Sequence, residues 1–370
     1  MFSSSGLRFP RLPWGLALRL TMAAVLALGV AQALHLRLPL WAVLTALIVT
    51  QSSVGGSLKV AGDYLVGTIG GALYGGAITI LIPHSSEVAL LAVLVLAVAP
   101  VALIAAAKPR FSVATVTVVI VLLVPTITKV DPLTSAVDRV LEVAVGAIIG
   151  LSVSFVVLPS RAQRMALKAA AGTLDRMAVA LGELLDGLSS GLDNDELHRL
   201  QDGIGDSLVR LSQIGAEAAR ERSAGLSRGP DIAPLIRTLL RLRHDLVMIG
   251  RAVGAPLPQP LQERLGETLA HYRIAATGYL TAVATALRSR HDAPPLAPVP
   301  EALAAYAAAV AAVRREGGTR QLSGEQAERF FALGFAFEQM NRNFRDLDRR
   351  VVEWTKPEDA AAPTDDPPTR

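Results

Sequence analysis

The sequence predicts an all-α protein: a six-helix transmembrane bundle over residues 14–159, followed by a cytoplasmic helical domain over residues 160–355. Three observations predict it. Long stretches of the first half carry no charged residue. The charges that are present there fall unevenly between alternate loops. The second half is balanced in charge and punctuated by proline and glycine at helix-length intervals.

Composition sets the frame. Hydrophobic residues make up 51% of the 370 and charged residues only 18%, against about 25% charged in a soluble domain. Residues 1–159 hold 9 Lys/Arg and 5 Asp/Glu, and the remainder hold 27 of each, so the net charge of +4 sits in the apolar half. A neutral second half lacks the clustered basic face of a nucleic-acid binder. With no cysteine, disulfides and thiolate metal sites are excluded.

A helix needs about 20 apolar residues to cross a bilayer. Segments 38–58, 64–83, 88–107 and 111–128 are free of charge. Segment 14–34 contains Arg19 near its start, and 137–158 contains Asp138, Arg139 and Glu142 near its start, where side chains reach the interface. Six spans result. The first has the basic flank and Ala31-Gln32-Ala33 of a signal peptide, but five spans follow it, so it reads as a span. Placing the N-terminus (residues 1–13) in the cytoplasm puts Arg8, Arg11, Arg19, Lys59, Lys108, Arg110, Arg161, Arg164 and Lys168 inside. Arg37, Lys129 and Arg139 then lie outside. The positive-inside rule therefore predicts both termini cytoplasmic, with Trp14 and Trp41 as interfacial aromatics.

An offset of 75 aligns Asp63, Gly71, Ala72 and Gly75 with Asp138, Gly146, Ala147 and Gly150. Spans three and six run in opposite directions, as in a 3+3 inverted repeat of a transporter; chance among small residues gives the same pattern. Gly67, Gly71 and Gly75 share one helix face, as do Gly146 and Gly150. Small residues at this spacing let membrane helices pack closely.

Glu142 shares the face of Gly146 and Gly150, so it points at another helix. A carboxylate there must pair, hydrate or hold a proton. Either it forms a structural ion pair with Arg139, or Arg139 attracts a carboxylate substrate while Glu142 carries a coupling proton and Asp138 stands beside them. Asp63, Tyr64 and Thr68 form a matching polar set at the cytoplasmic end, with Thr45, Thr50 and Gln51 of span two adding hydrogen bonds.

Beyond Pro159, helices are expected over residues 161–188, 195–223, 231–253, 260–290, 300–315 and 323–354, and a disordered tail over 356–370. Ser323 and Gln326 form a capping box. His244-Asp245 has no second histidine one turn on, and His84, His198, His271 and His291 are scattered. No metal motif, nucleotide loop or Ser/His/Asp set is visible, so neither catalysis, a cofactor nor bound ATP is expected of this chain.

Several of these motifs resemble the fusaric acid resistance (FUSC) / aromatic acid exporter family of bacterial inner-membrane proteins. The carriers are Leu40-Trp41 through Thr50-Gln51, Gly67-Thr68 through Gly71-Ala72, and Asp138-Arg139 through Glu142 to Gly146 and Leu158-Pro159-Ser160. Arg241 to Asp245 and Phe335 to Glu338 also carry the resemblance. It covers most of residues 14–355. It implies proton-coupled efflux of small, aromatic organic acids from a bacterial inner membrane, with a periplasmic adaptor and an outer-membrane channel as partners. Larger members hold two copies of the unit, so a single copy implies a homodimer or higher assembly. The family's link to plant malate channels implies a rival, a passive anion channel; a non-transporting scaffold acting through its cytoplasmic helices is another. Members commonly place an arginine three residues before the Gly-Thr pair, where this chain has Tyr64.

Overall fold

The computed structural model describes residues 14–82, 86–128, 130–157, 161–227 and 229–355. All regular structure among them is helical, and the chain divides into two compact units, residues 1–162 and 163–370. The expected tail and the proposed roles of Pro83, His84, Lys129, Pro159 and Ser160 lie outside the described residues.

The first unit contains α1 (Trp14–Ala33), α2 (Pro39–Val49), α3 (Val54–Leu81), α4 (Glu87–Ala107), α5 (Ser112–Thr128) and α6 (Pro132–Val156), with a short 3-10 turn before α5. Five of the apolar helices are long enough to cross a membrane. Their outer faces are apolar: Leu73 is 72% exposed and Leu103 74%, as lipid-facing side chains are.

The expectation of six full spans is corrected at the second. Segment 38–58 is not one helix. It breaks at residues 50–53, leaving α2 with 11 residues, about 16 Å of rise and half a bilayer. Hydroxyl-rich residues cause the break. Ser53 accepts from the N–H of Gly56 and so caps α3, while Ser57 Oγ accepts the N–H of Gln51. Ser52 O accepts from the buried guanidinium of Arg19 on α1. Irregular backbone at membrane depth persists only when it is satisfied in this way from within the protein. Helix α3 consequently starts ten residues before the expected Tyr64, and α6 starts at Pro132 rather than 137, capped by Asp131.

The glycine faces set the packing. Gly67, Gly71 and Gly75 lie against Val113, Ala114, Thr117 and Val118 of α5. Gly146 and Gly150 lie against Ala42, Thr45, Ala46 and Val49 of α2. A methyl group on Gly71 would stand 2.6 Å from the carbonyl oxygen of Ala114. Thus α3, the third helix, packs on α5, the fifth, and α6 packs on α2. A two-fold relation between the halves would exchange these two contacts, so the packing fits a 3+3 inverted repeat.

The second unit comprises α7 (Ala162–Ser190), α8 (Asn194–Ser223), α9 (Ala233–Ala252), α10 (Gln259–Ser289), α11 (Pro298–Arg315) and α12 (Gly324–Thr355). The capping box forms: Ser323 and Gln326 exchange hydrogen bonds at 3.0 and 3.2 Å. The core gathers aromatic rings, with Phe337 between Tyr272 at 4.6 Å and Tyr306 at 5.4 Å. Asp245 of α9 is buried there and accepts from Asn343 Nδ2 of α12 at 2.6 Å; His244 beside it is exposed.

Candidate functional site

The short helix creates the site. Because α6 runs beside α2 in the same direction, the N-terminus of α2 lies level with Glu142, ten residues and about 15 Å into α6. Above it a pocket of about 180 Å³ opens between α5, α6 and the start of α2. Arg37, Trp41, Asp138, Arg139 and Glu142 line its polar side, and Ile120 and Val124 its apolar side.

Arg139 is 2% exposed. Its guanidinium lies over the indole of Trp41 at 4.5 Å, a stacked geometry that suits a planar cation. Tyr64 of α3 interacts with it electrostatically. Its Nε and Nη1 donate to no group of the protein. Buried donors without partners are costly, so a buried arginine held this way is poised for an anion.

Glu142, also 2% exposed, does not form the ion pair with Arg139 that was one expectation. No Arg139–Glu142 ion pair within 4.0 Å is present among the described residues. Its Oε1 instead accepts the N–H of Leu38 at 3.0 Å, at the cap of α2. Asp138 pairs with Arg37 at 3.4 Å at the mouth of the pocket. The N-terminus of a half-helix carries partial positive charge and unpaired N–H groups, a ready anion site. Here the protein's own carboxylate occupies part of it.

Of the other predicted residues, Tyr64 joins the site through Arg139, whereas Asp63 does not line it. Gln51 belongs to the α2–α3 break, where its side chain donates to Ile48 O. Thr45 and Thr68 are buried with hydroxyls that bond to nothing in the protein, as is Thr117 of α5. Thr50 and Thr79, in contrast, bond back to their own helices. Trp41, expected as an interfacial aromatic, also forms the platform under Arg139. Arg19, a charge inside an apolar span, reaches the α2–α3 break, where it donates to Ser52 O. Among the described residues no group of three His, Asp or Glu side chains could hold a metal.

Residues 26–153 match the family described as fusaric acid resistance protein-like. Over these residues the first unit is similar to that family. The match takes in α2 to α5 and nearly all of α6, and with them the whole polar side of the pocket. No curated protein matches the chain. The match and the apolar helices together make this a multi-pass membrane protein of transporter type.

Proposed function

We propose that the protein exports small organic acids, one-ring aromatic acids foremost, across the bacterial inner membrane at the expense of the proton gradient. One observation carries the reading: the buried Arg139, whose Nε and Nη1 donate to no group of the protein, lines a pocket at the N-terminus of a half-helix. A guanidinium fork matches a carboxylate in two hydrogen bonds. The apolar wall of Ile120 and Val124 and the Trp41 face suit a ring. The volume supports the size class, since an apolar cavity of about 150 Å³ holds benzene.

In this mechanism Glu142 moves the proton. Ionised, it holds the N–H of Leu38 and adds negative charge to the pocket, which repels a second carboxylate. Protonated, it releases that repulsion. The protonation state of Glu142 thereby governs when the site admits an organic anion. The positive-inside distribution of the basic residues supports a pocket mouth on the periplasmic face and both termini in the cytoplasm. The single unit acts as a homodimer or larger assembly, and an adaptor and outer-membrane channel would receive its substrate.

The test is intracellular accumulation of hydroxybenzoate-type acids in cells with and without the protein, before and after an uncoupler. Lower accumulation that the uncoupler abolishes is the expected result. Accumulation lowered equally with and without the uncoupler would favour the passive channel. No protein-dependent difference across a panel of acids would remove the transport reading.

A further inference from the structure

The second unit contains a cavity of its own, about 250 Å³, at the start of α7 and the end of α10. Leu167 and Leu287, both buried, form its floor. Arg164, Lys168, Arg288 and Arg290 surround it. Arg288 is ion-paired to Asp175. Among the described residues the other three cations have no acidic partner.

Two features separate this cluster from an ordinary solvated face. The first is the helix dipole. Arg164 and Lys168 stand in the first turns of α7, the end where acidic residues are favoured and cations are not. They add to a partial positive charge rather than offsetting one. The second is backbone strain. Helices α7, α8 and α11 are followed by Gly191, Gly225 and Gly317 in the left-handed region, the usual way a helix ends. Helix α10 ends instead on Arg290, with φ of 54°. A side chain in that conformation is strained; His35, just after α1, is the other non-glycine residue with positive φ among the described residues.

We propose that this pocket binds the phosphate group of an anionic phospholipid. The apolar floor accepts the glycerol and first acyl carbons beneath the phosphate. The sequence supports the source: Arg164 follows the last residue of α6 by only eight residues, a juxtamembrane position in the chain. Basic residues just beyond a membrane span are drawn to anionic lipids.

The test uses the full-length protein in neutral detergent. Short-chain phosphatidylglycerol, short-chain phosphatidylcholine and inorganic phosphate are titrated separately, with bound lipid read by native mass spectrometry and unfolding temperature by thermal shift. Expected are saturable binding and stabilisation by phosphatidylglycerol, about tenfold weaker or worse in Arg164→Gln/Lys168→Gln and in Arg290→Gly. Arg290→Gly without lipid should unfold at the same or a higher temperature, because glycine relieves the strain. The exposed-charge control Arg210→Gln/Arg251→Gln/Arg342→Gln should bind like the wild type. Inorganic phosphate acting at the same concentrations, and lost in the same variants, would keep the phosphate site and make free phosphate its source. Equal binding of phosphatidylcholine, or undiminished phosphatidylglycerol binding in the pocket variants, would overturn the proposal.

Discussion

The carboxylate of Glu142 accepts the backbone N–H of Leu38 at 3.0 Å, so a residue on α6 caps the helix that forms the floor of the pocket. Leu38 has no side-chain cap of its own, and Pro39 follows it at the first helical position. The cap is therefore borrowed from a neighbouring helix, and the state of Glu142 and the position of α2 are coupled.

That coupling separates two substitutions. Glu142→Gln keeps an acceptor for Leu38 and should leave thermal stability within about 0.5 kcal/mol of wild type. Glu142→Ala removes the cap and should cost about 1–2 kcal/mol. Both should abolish the dependence of transport on the proton gradient. Unfolding in detergent, alongside flux with and without an imposed pH gradient, checks both parts.

Arg139 should govern anion affinity. Arg139→Gln removes a buried charge that faces the pocket and should weaken binding of an aromatic carboxylate by about 2–5 kcal/mol. Arg139→Lys keeps the charge but loses the planar fork and the stacking on Trp41, so it should rescue only part of the affinity. Isothermal titration with a benzoate-type acid reads the difference.

The glycine faces predict opposite outcomes for chemically identical changes. A methyl group at Gly146 would collide with the backbone carbonyl of Ala42, and one at Gly71 with that of Ala114. Backbone cannot yield as a side chain does, so Gly146→Ala and Gly71→Ala should each cost about 1–3 kcal/mol. Gly70 faces open space. Gly70→Ala should stay neutral or gain up to about 1 kcal/mol. Unfolding temperatures of the three variants in one detergent make the comparison.

In the second unit, burial pushes the Asp245 carboxyl up to about 6, while the hydrogen bond from Asn343 and the charges of His244 and Arg241 pull it down. The folded value thus lies above the unfolded one, and the folded state binds the proton more tightly. This contribution to stability is fully present below about pH 4 and is lost as pH rises through about 6. The loss amounts to about 3 kcal/mol. Asp245→Asn keeps an acceptor for Asn343 and should flatten the pH dependence between 4 and 6, raising stability at pH 7. Thermal unfolding across that range tests it.

Much of this was legible in the sequence, for definite reasons. The helices of the second unit end where expected to within three residues, because proline, glycine and the Ser323 box act locally. The inward aim of Glu142 followed from its sharing a face with Gly146 and Gly150. What was not legible depends on tertiary contact. Segment 38–58 is free of charge throughout, so a count of charges does not reveal its break; Ser57 and Arg19, distant or on another helix, satisfy the broken backbone. The partner of Glu142 is a backbone N–H, which carries no sequence signature. For the same reason the Arg139–Glu142 pair suggested by their spacing does not form.

The central claim is that Arg139 binds the transported carboxylate. Counterflow of labelled 4-hydroxybenzoate into proteoliposomes, wild type against Arg139→Gln at matched reconstitution, tests it most directly. The account predicts rapid exchange by the wild type and its near-complete loss in the variant, with partial recovery in Arg139→Lys. Exchange at the wild-type rate by folded Arg139→Gln would contradict it.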